Sequence, residues 1–257
     1  MENSLQSSIT KYALKNLAKS YSPLDYSHKL VNALKSIYPE SDFSNLDKRQ
    51  LHERINNVIL ESYDGEKSIK YFLFDKFKHK DLIAAYETKV LGSRVDFITI
   101  NGVSTSYEIK SSLDNLEKLA KQSLDYLKAF DYNCIIIDER HLEKALQIVP
   151  QNFGIWLFKD NKKRIYRKPK KNIFIESAVQ LDLLTKKELK QFFNQTCRYS
   201  ILNSLSAMKI NQFFKKALKS RYNDRWRFLV QNSDQILPID IQFFFKVNIH
   251  PVHIYQS

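Results

Sequence analysis

The spacing of apolar residues predicts a helical amino-terminal segment. Over the first 62 residues, apolar side chains recur three or four positions apart, as in Leu51, Ile55, Val58 and Ile59. The segments SYSPLDYS and YPESDFSNLD contain proline and turn-forming residues, and they separate these helices. The stretch GEKSIKYFLFDKF then predicts one more helix, whose buried side carries Ile69, Phe72, Leu73 and Phe77.

The pattern changes to short β-rich stretches after His79. AAYETKVL, SRVDFITI and SYEIKSS predict three strands, and the dipeptide Asn101-Gly102 predicts a hairpin between the second and the third. A long helix is expected from about Leu113 to Phe130, with one apolar stripe made by Leu113, Leu116, Ala120, Leu124 and Leu127. The apolar strand YNCIIID follows. This order of elements predicts an α/β fold in which helices flank a small mixed sheet.

A third segment begins near Pro150. GIWLFKDNKKRIYRKP predicts two strands around the turn Asp160-Asn161, and the chain from Leu181 to Trp226 has a mainly helical pattern. We therefore divide the sequence into an amino-terminal helical segment (1–62), a core that holds the sheet (63–150), and a region with a strand hairpin and further helices (151–257).

Composition excludes several classes of protein. With 43% hydrophobic residues and only 4 Gly among 257 residues, the chain is neither disordered nor collagenous. Cys134 and Cys197 form no CxxC pair, so we expect no disulfide scaffold and predict a reducing, cytoplasmic environment. The longest unbroken nonpolar run, Phe153 to Phe158, has six residues, so we expect no membrane span.

The net charge of +13 is unevenly distributed. Residues 1–150 hold 21 basic and 21 acidic side chains, whereas residues 151–257 hold 20 basic and 7 acidic ones. The run from Lys159 to Lys171 alone has eight basic residues against one acid. Such a run is typical of a surface that binds nucleic acid, although a lysine-rich solubilising surface would give the same composition.

Seven residues are the candidate contacts to nucleic acid: Lys162, Lys163, Arg164, Arg167, Lys168, Arg221 and Arg225. The last two form a cluster with Trp226 and Arg227 that could stack on and clamp a nucleic-acid strand. The alternative is that Trp226 belongs to the core with the arginines as its solvated rim.

Candidate chemistry lies in the predicted strands. Asp96 interrupts an apolar strand, and Glu108 and Lys110 point to the same side of the next strand because they are two residues apart. If the two strands are hairpin neighbours, two carboxylates and an amine converge in a site suited to Mg²⁺. The alternative is a surface ion pair between Glu108 and Lys110. The same spacing occurs in Glu87-Thr88-Lys89, which we interpret as a chance match.

The order of these motifs resembles the PD-(D/E)xK, or restriction-endonuclease-like, nuclease superfamily. GSRVDFITI is similar to the Gly-x-x-x-Asp strand of its RecB/Cas-type exonuclease branch, EIK to its metal-and-lysine motif, and Gln122 with Tyr126 to its Gln-x-x-x-Tyr helix. The likeness covers about residues 63–140 and extends to a group of small bacterial and phage proteins. Val95 stands where many members have proline.

The resemblance implies a role for each matching residue. Asp96 and Glu108 would be metal ligands, with the backbone carbonyl of Ile109 and the carboxylate of Glu66 as further ligands. Lys110 would orient water and stabilise the transition state. Gln122 and Tyr126 would hold DNA or the strand that bears the site, and the alternative for both is an ordinary contact between helix and sheet.

We therefore expect a nuclease that depends on Mg²⁺, with Mn²⁺ as a substitute, and cuts phosphodiester bonds in DNA. Two alternatives stay open: a protein of the same fold that binds nucleic acid without cutting it, and a nuclease that acts on RNA. The sequence also leaves open the oligomeric state, a homodimer included, and the choice between internal cuts and cuts from an end.

Overall fold

The computed structural model describes residues 11–62, 65–112, 114–159 and 162–256. The chain divides into two compact units, a helical unit formed by residues 1–74 with 228–257 and a sheet unit formed by residues 75–227. The fold is α/β, as the sequence predicts, with a six-stranded mixed sheet and flanking helices.

The amino-terminal segment is helical from residue 11, as predicted, and the part of this prediction that concerns residues 1–10 lies outside the described residues. Its helices, and the one that follows, are α1 (Lys11–Ser20), α2 (Ser27–Lys35), α3 (Lys48–Ser62) and α4 (Glu66–Phe77). The apolar positions that predict α3 are buried, including Leu51 and Ile55. The last two α-helices of the chain are α11 (Ile241–Val247) and α12 (Val252–Tyr255).

The six strands follow one another in the sheet in their order along the chain. They are β1 (Ile83–Val90), β2 (Ser93–Asn101), β3 (Val103–Lys110), β4 (Tyr132–Ile137), β5 (Gly154–Lys159) and β6 (Lys162–Arg167). Strands β3, β4 and β5 run parallel, whereas the other neighbours are antiparallel. The parallel pairs are joined through α5 (Leu119–Leu127) and α6 (Leu142–Ile148), because parallel strands need a crossover connection.

Both predicted hairpins are present. Gly102 lies at the tip of the β2–β3 hairpin with a φ of 67°, a conformation that glycine adopts without the penalty of a side chain. The β5–β6 hairpin extends the same sheet, and its predicted turn residues, 160 and 161, lie outside the described residues. The basic run therefore begins inside the sheet.

The predicted start of the long helix, at about Leu113, is wrong. Leu113 lies outside the described residues, residues 114–116 have no regular secondary structure and residues 117–118 form a turn, so that α5 begins only at Leu119. The Asp114 carboxylate accepts hydrogen bonds from the backbone N–H of Ser111 at 2.8 Å and from its hydroxyl at 2.5 Å. Such a local turn competes with a helix for the same backbone groups.

The predicted apolar stripe of this helix is also wrong in part. Ala120 and Leu124 are exposed, and the buried face of α5 consists of Leu119, Ser123, Tyr126 and Leu127. Tyr126 therefore lies within the buried face of α5, whereas the sequence pattern predicted a position at the flank of the apolar stripe.

The basic carboxy-terminal helices are α7 (Ser177–Asp182), α8 (Lys186–Phe193), α9 (Arg198–Ser204) and α10 (Ala207–Gln231). Trp226 on α10 is 2% exposed, and its ring centroid lies 6.2 Å from that of Phe97, so it belongs to the core of the sheet unit. Cys134 and Cys197 are free thiols. In the part of the chain that the structure describes, no helix is long and apolar enough to cross a membrane.

Candidate metal and catalytic site

Three acidic residues occupy neighbouring positions on three strands. Phe97 pairs with Tyr107, so Asp96 of β2 lies across from Glu108 of β3. Tyr86 pairs with Phe97 and Thr88 with Val95, which places Glu87 of β1 across from Asp96. Because directly opposed residues share a face of the sheet, Glu87, Asp96 and Glu108 all lie on one face.

The carboxylates of Glu87 and Asp96 are close enough to bind the same metal ion. Carboxylate oxygens of the two residues lie within 4.8 Å of one another. Glu87 has a φ of 53°, a left-handed conformation that is unusual for a residue inside a strand. Such a conformation costs free energy and persists only where the surrounding structure imposes it, often at functional sites.

Sequence analysis missed Glu87, because its Glu-Thr-Lys spacing looked like a chance match. A signal was present in the turn at Leu91-Gly92, which joins Val90 to its partner Ser93. Continued along the hairpin, that pairing places Glu87 opposite Asp96. Across the same pair of strands, a guanidinium nitrogen of Arg94 lies 3.6 Å from the Glu87 carboxylate.

The Asp96 carboxylate is held across the sheet. Its Oδ2 accepts a hydrogen bond of 2.7 Å from the backbone N–H of Ile109. This bond ties β2 to the Glu108-Ile109-Lys110 segment of β3, so the two predicted motifs meet as expected for hairpin neighbours.

Glu108 and Lys110 form an almost buried ion pair. Lys110 Nζ lies 2.8 Å from Glu108 Oε1, with side-chain exposures of 13% for the lysine and 2% for the glutamate. The second oxygen of Glu108, Oε2, lies 2.6 Å from the hydroxyl of Tyr126. Gln122 is a further hydrogen-bonding partner of the Glu108 side chain. The structure thus brings together four of the predicted site residues, Glu108, Lys110, Gln122 and Tyr126.

Burial and charge shift the pKa values of this pair. Burial raises the pKa of Glu108, although Lys110 and the hydrogen bonds act in the opposite direction. Burial acts to lower the pKa of Lys110, but the carboxylates of Glu108, Asp96 and Asp114 together outweigh it, so that the pKa of Lys110 is raised. Lys110 therefore keeps its positive charge at neutral pH and is suited to stabilise negative charge rather than to accept a proton.

Glu66 and the carbonyl of Ile109 are the two other proposed ligands. Glu66 is the first residue of α4 and belongs to the helical unit. There it forms an ion pair with Lys70, whose ammonium also donates to the side-chain oxygen of Gln242 at 2.7 Å. Ile109 contributes its N–H to Asp96. Metal binding by the Ile109 carbonyl and by Glu66 stays a prediction.

Three of the proposed nucleic-acid contacts line one cleft. Lys162, Lys163 and Arg164 of β6 lie in a cleft of about 460 Å³, which we name the hairpin cleft. Its remaining lining residues are Glu139, Leu157 and Lys159. Lys163 Nζ lies 4.5 Å from the centre of the Trp156 ring. Four of the six lining residues of the hairpin cleft are therefore basic.

The other proposed contacts lie apart from this cleft. Arg167 donates to the carbonyls of Phe153 and Pro150 at 2.7 and 3.0 Å. Arg221 makes two bonds of 2.6 Å to the Glu188 carboxylate, so both guanidinium groups have internal partners. Lys168 and Arg225 are exposed.

Comparisons with known proteins give one family and one distant structure. A comparison with curated proteins found no significant match. A solved structure of a protein of unknown function from Silicibacter pomeroyi is similar at 15% identity and a TM-score of 0.35, over 60% of this chain and 82% of that one. The profile of the bacteriophage P4 protein cII family matches residues 61–244, well over half of the sequence. The chain therefore belongs to the bacteriophage P4 protein cII family.

Proposed function

We propose that this protein is a metal-dependent nuclease that hydrolyses phosphodiester bonds in DNA. The observation that carries the proposal is the meeting of Asp96 and Glu87, with oxygens within 4.8 Å, beside the buried Glu108–Lys110 ion pair. Asp96, Glu108 and Lys110, but not Glu87, also carry the resemblance to the PD-(D/E)xK superfamily, and that resemblance supports the reaction.

The donor atoms fit a hard divalent cation. Carboxylate oxygens from neighbouring strands are the ligands that Mg²⁺ prefers, and Mn²⁺ accepts the same set. Asp96 and Glu87 would hold the ion, and Glu108 on the same face would be a further ligand. When bound, the ion would lower the pKa of a water and neutralise charge on the phosphate.

The protein's own residues supply position and charge. Lys110, with its raised pKa, presents an ammonium group to the negative charge that develops on the phosphate. Tyr126 and Gln122 fix the Glu108 side chain from α5, and Ile109 fixes Asp96 through its N–H. Preorganised groups of this kind contribute to catalysis because they need no rearrangement during the reaction.

The charge distribution supports a nucleic acid as the partner, since the carboxy-terminal 107 residues carry the whole net charge of +13. The two free cysteines support a reducing compartment, and we propose the cytoplasm. A nuclease for RNA and a binding protein without activity are the alternative outcomes of the experiment below.

The first prediction is that the purified protein cuts DNA with Mg²⁺ or Mn²⁺ and is inactive in chelator. Asp96→Asn and Glu87→Gln should each lower the rate at least about 100-fold, because each removes charge from the metal site. Lys110→Ala should lower the rate about 100- to 1,000-fold, because a charged group that faces the transition state is lost. Gel analysis of labelled DNA and RNA measures the cleavage rates of the wild type and the three variants.

The matched control is Glu143→Gln, which neutralises an exposed glutamate on α6 of the same unit. It should cut DNA like the wild type. Equal rates for the wild type and Asp96→Asn would contradict the proposed site. Cleavage of RNA alone would identify the RNA nuclease, and binding of DNA without cleavage in any metal would identify the inactive binding protein.

A further inference from the structure

We propose that the DNA strand under attack runs from the carboxylate site, past the end of β4, into the hairpin cleft. The protein should then grip a phosphate about four nucleotides from the cut, on one side only. This inference rests on the proposed function and adds the path of the DNA strand on one side of the cut.

The site and the cleft lie at the same edge of the sheet. Strands β3, β4 and β5 are parallel, so their last residues, Lys110, Ile137 and Lys159, lie at one edge. Strand β6 is antiparallel to β5 and pairs Lys162 with Lys159, so it begins at that edge. Strand β2 likewise brings its first half, with Asp96, to the end of β3.

The site and the cleft also share a face of the sheet. Glu108 aligns with Ile135, Ile135 with Ile155, and the pairing of Leu157 with Arg164 continues the row. Lys159 pairs with Lys162 two residues further along, so these side chains point the same way as Glu108. Lys163 points to the other face, where it covers Trp156.

The distance sets the spacing along the DNA. From β3 to β6 there are three steps between neighbouring strands, or about 14 Å at about 4.8 Å each. One strand of duplex DNA carries a phosphate for about every 3.4 Å of axis. The phosphate at Lys162 and Arg164 is therefore about the fourth along the strand from the one at Lys110.

Exposed basic side chains of the hairpin cleft can bind a phosphate. Lys159, Lys162 and Arg164 are exposed. Arg164 lies 2.6 Å from the Glu139 carboxylate, but both side chains are more than half exposed, at 67% and 57%. An exposed pair of this kind contributes little to stability, so a phosphate can replace Glu139 as the partner.

The structure also supplies a matched control at the opposite edge. A second basic cleft, of about 280 Å³, is lined by Lys215, Lys216 and Lys219 of α10 beside Ile100 and Gly102. Gly102 is the tip of the β2–β3 hairpin, at the other end of these strands from Asp96. Loss of charge there changes the net charge equally without touching the proposed path.

The experiment combines charge removal on the protein with charge removal on the DNA. Duplex oligonucleotides with one cleavable linkage carry a neutral methylphosphonate at a single position, one to eight nucleotides from the cut on either side. Cleavage is measured on gels and binding by fluorescence anisotropy over a range of salt. Wild type, the double variant Lys162→Gln/Arg164→Gln and the control Lys216→Gln/Lys219→Gln are compared.

We expect a neutral linkage to slow wild-type cleavage at least about fivefold only near the fourth position, on one side. The variant Lys162→Gln/Arg164→Gln should lose this position dependence, and its log–log salt slope for binding should fall by about 1.8, or 0.9 for each lost contact. The control should behave as wild type in both measurements.

Two failures are distinguishable. If the wild type cuts DNA but shows no position effect, or if the control changes as much as Lys162→Gln/Arg164→Gln, the path is overturned and the nuclease stands. If no protein cuts any oligonucleotide, the proposed function fails, and the path falls with it whatever the binding data show.

Discussion

Tyr126 shows how one hydroxyl can organise a buried site. Its hydroxyl lies 2.6 Å from Glu108 Oε2 and 2.8 Å from the carbonyl oxygen of Arg94. Tyr126 is 0% exposed, and its hydroxyl has a single proton, which these two acceptor oxygens share. Burial first, and then the Glu108 carboxylate, raise the pKa of Tyr126, which keeps that proton on the oxygen.

The second prediction is that Tyr126→Phe destabilises the protein by about 1–3 kcal/mol, because a buried carboxylate oxygen and a buried carbonyl lose their donor while the ring still packs. Urea unfolding, followed by circular dichroism, measures the change. Tyr166→Phe is the control, since Tyr166 is 49% exposed and should change stability by less than about 0.5 kcal/mol. Equal stability of both variants would contradict this account of the site.

At the residue scale, motif order and the family resemblance predicted much of the candidate site. Asp96, Glu108, Lys110, Gln122 and Tyr126 were predicted from motif order, and the structure brings Glu108 together with Lys110, Gln122 and Tyr126. The position of Glu87 could not be predicted from its own tripeptide. Its proximity to Asp96 follows from the register between β1 and β2, which the tripeptide does not contain, and the left-handed φ of Glu87 cannot be read from the tripeptide either.

At the scale of elements, turns decide which side chains meet. Asn101 pairs with Val103 around Gly102 alone, so the β2–β3 hairpin turns one residue more tightly than a two-residue Asn-Gly turn would. A shift of one residue in register sends every side chain of a strand to the other face. The sequence predicted the strands themselves, but turn chemistry does not settle the register to one residue, and the meeting of Asp96 with Glu108 depends on it.

The third prediction concerns Gly102. A Cβ at this position would meet nothing within 4 Å, so a substitution there is penalised only through the positive φ of 67°. Gly102→Ala should therefore destabilise the protein by about 1–2 kcal/mol, and Gly102→Asn by clearly less, because asparagine tolerates this conformation. Thermal unfolding of the three proteins measures the order. An alanine variant as stable as the asparagine variant would show that φ is not what selects glycine here.

At the scale of the whole molecule, charge and architecture follow different boundaries. All the net charge lies after residue 150, yet β5 and β6 extend the sheet that holds the carboxylates. The helical unit combines residues 1–74 with 228–257, and its distant parts are joined by bonds such as that from Tyr21 to Asp240, 2.9 Å. Apolar periodicity is a local signal, so it predicted the helices of this unit but not the pairing of the two chain ends.

Asp240 is a buried carboxylic acid of the helical unit. It is 1% exposed, and its Oδ2 accepts hydrogen bonds from the hydroxyls of Tyr21 and Tyr255 at 2.9 and 2.8 Å. Burial raises the pKa of Asp240 to about 6 from the ordinary 3.8, although both hydroxyls act to lower it. The folded protein therefore binds a proton here more tightly than the unfolded chain does.

The last prediction follows from the sign of this shift. An acid whose pKa is raised by folding stabilises the fold when protonated, and that contribution is lost as the pH rises from about 4 through 6. The shift corresponds to a loss of about 3 kcal/mol in the free energy of unfolding above pH 7 and to about half of that loss at pH 5.

In Asp240→Asn the amide oxygen still accepts hydrogen bonds from Tyr21 and Tyr255, and no charge is buried. We therefore expect this variant to be more stable than wild type at pH 8, with an advantage that shrinks at pH 5, in urea unfolding at both pH values. Exposed Asp234→Asn, in the same unit, is the control for removal of a charge that stays in water. A stability difference between Asp240→Asn and wild type that is the same at pH 5 and pH 8 would contradict the raised pKa, because it would mean that Asp240 does not titrate differently in the folded and unfolded protein in this range.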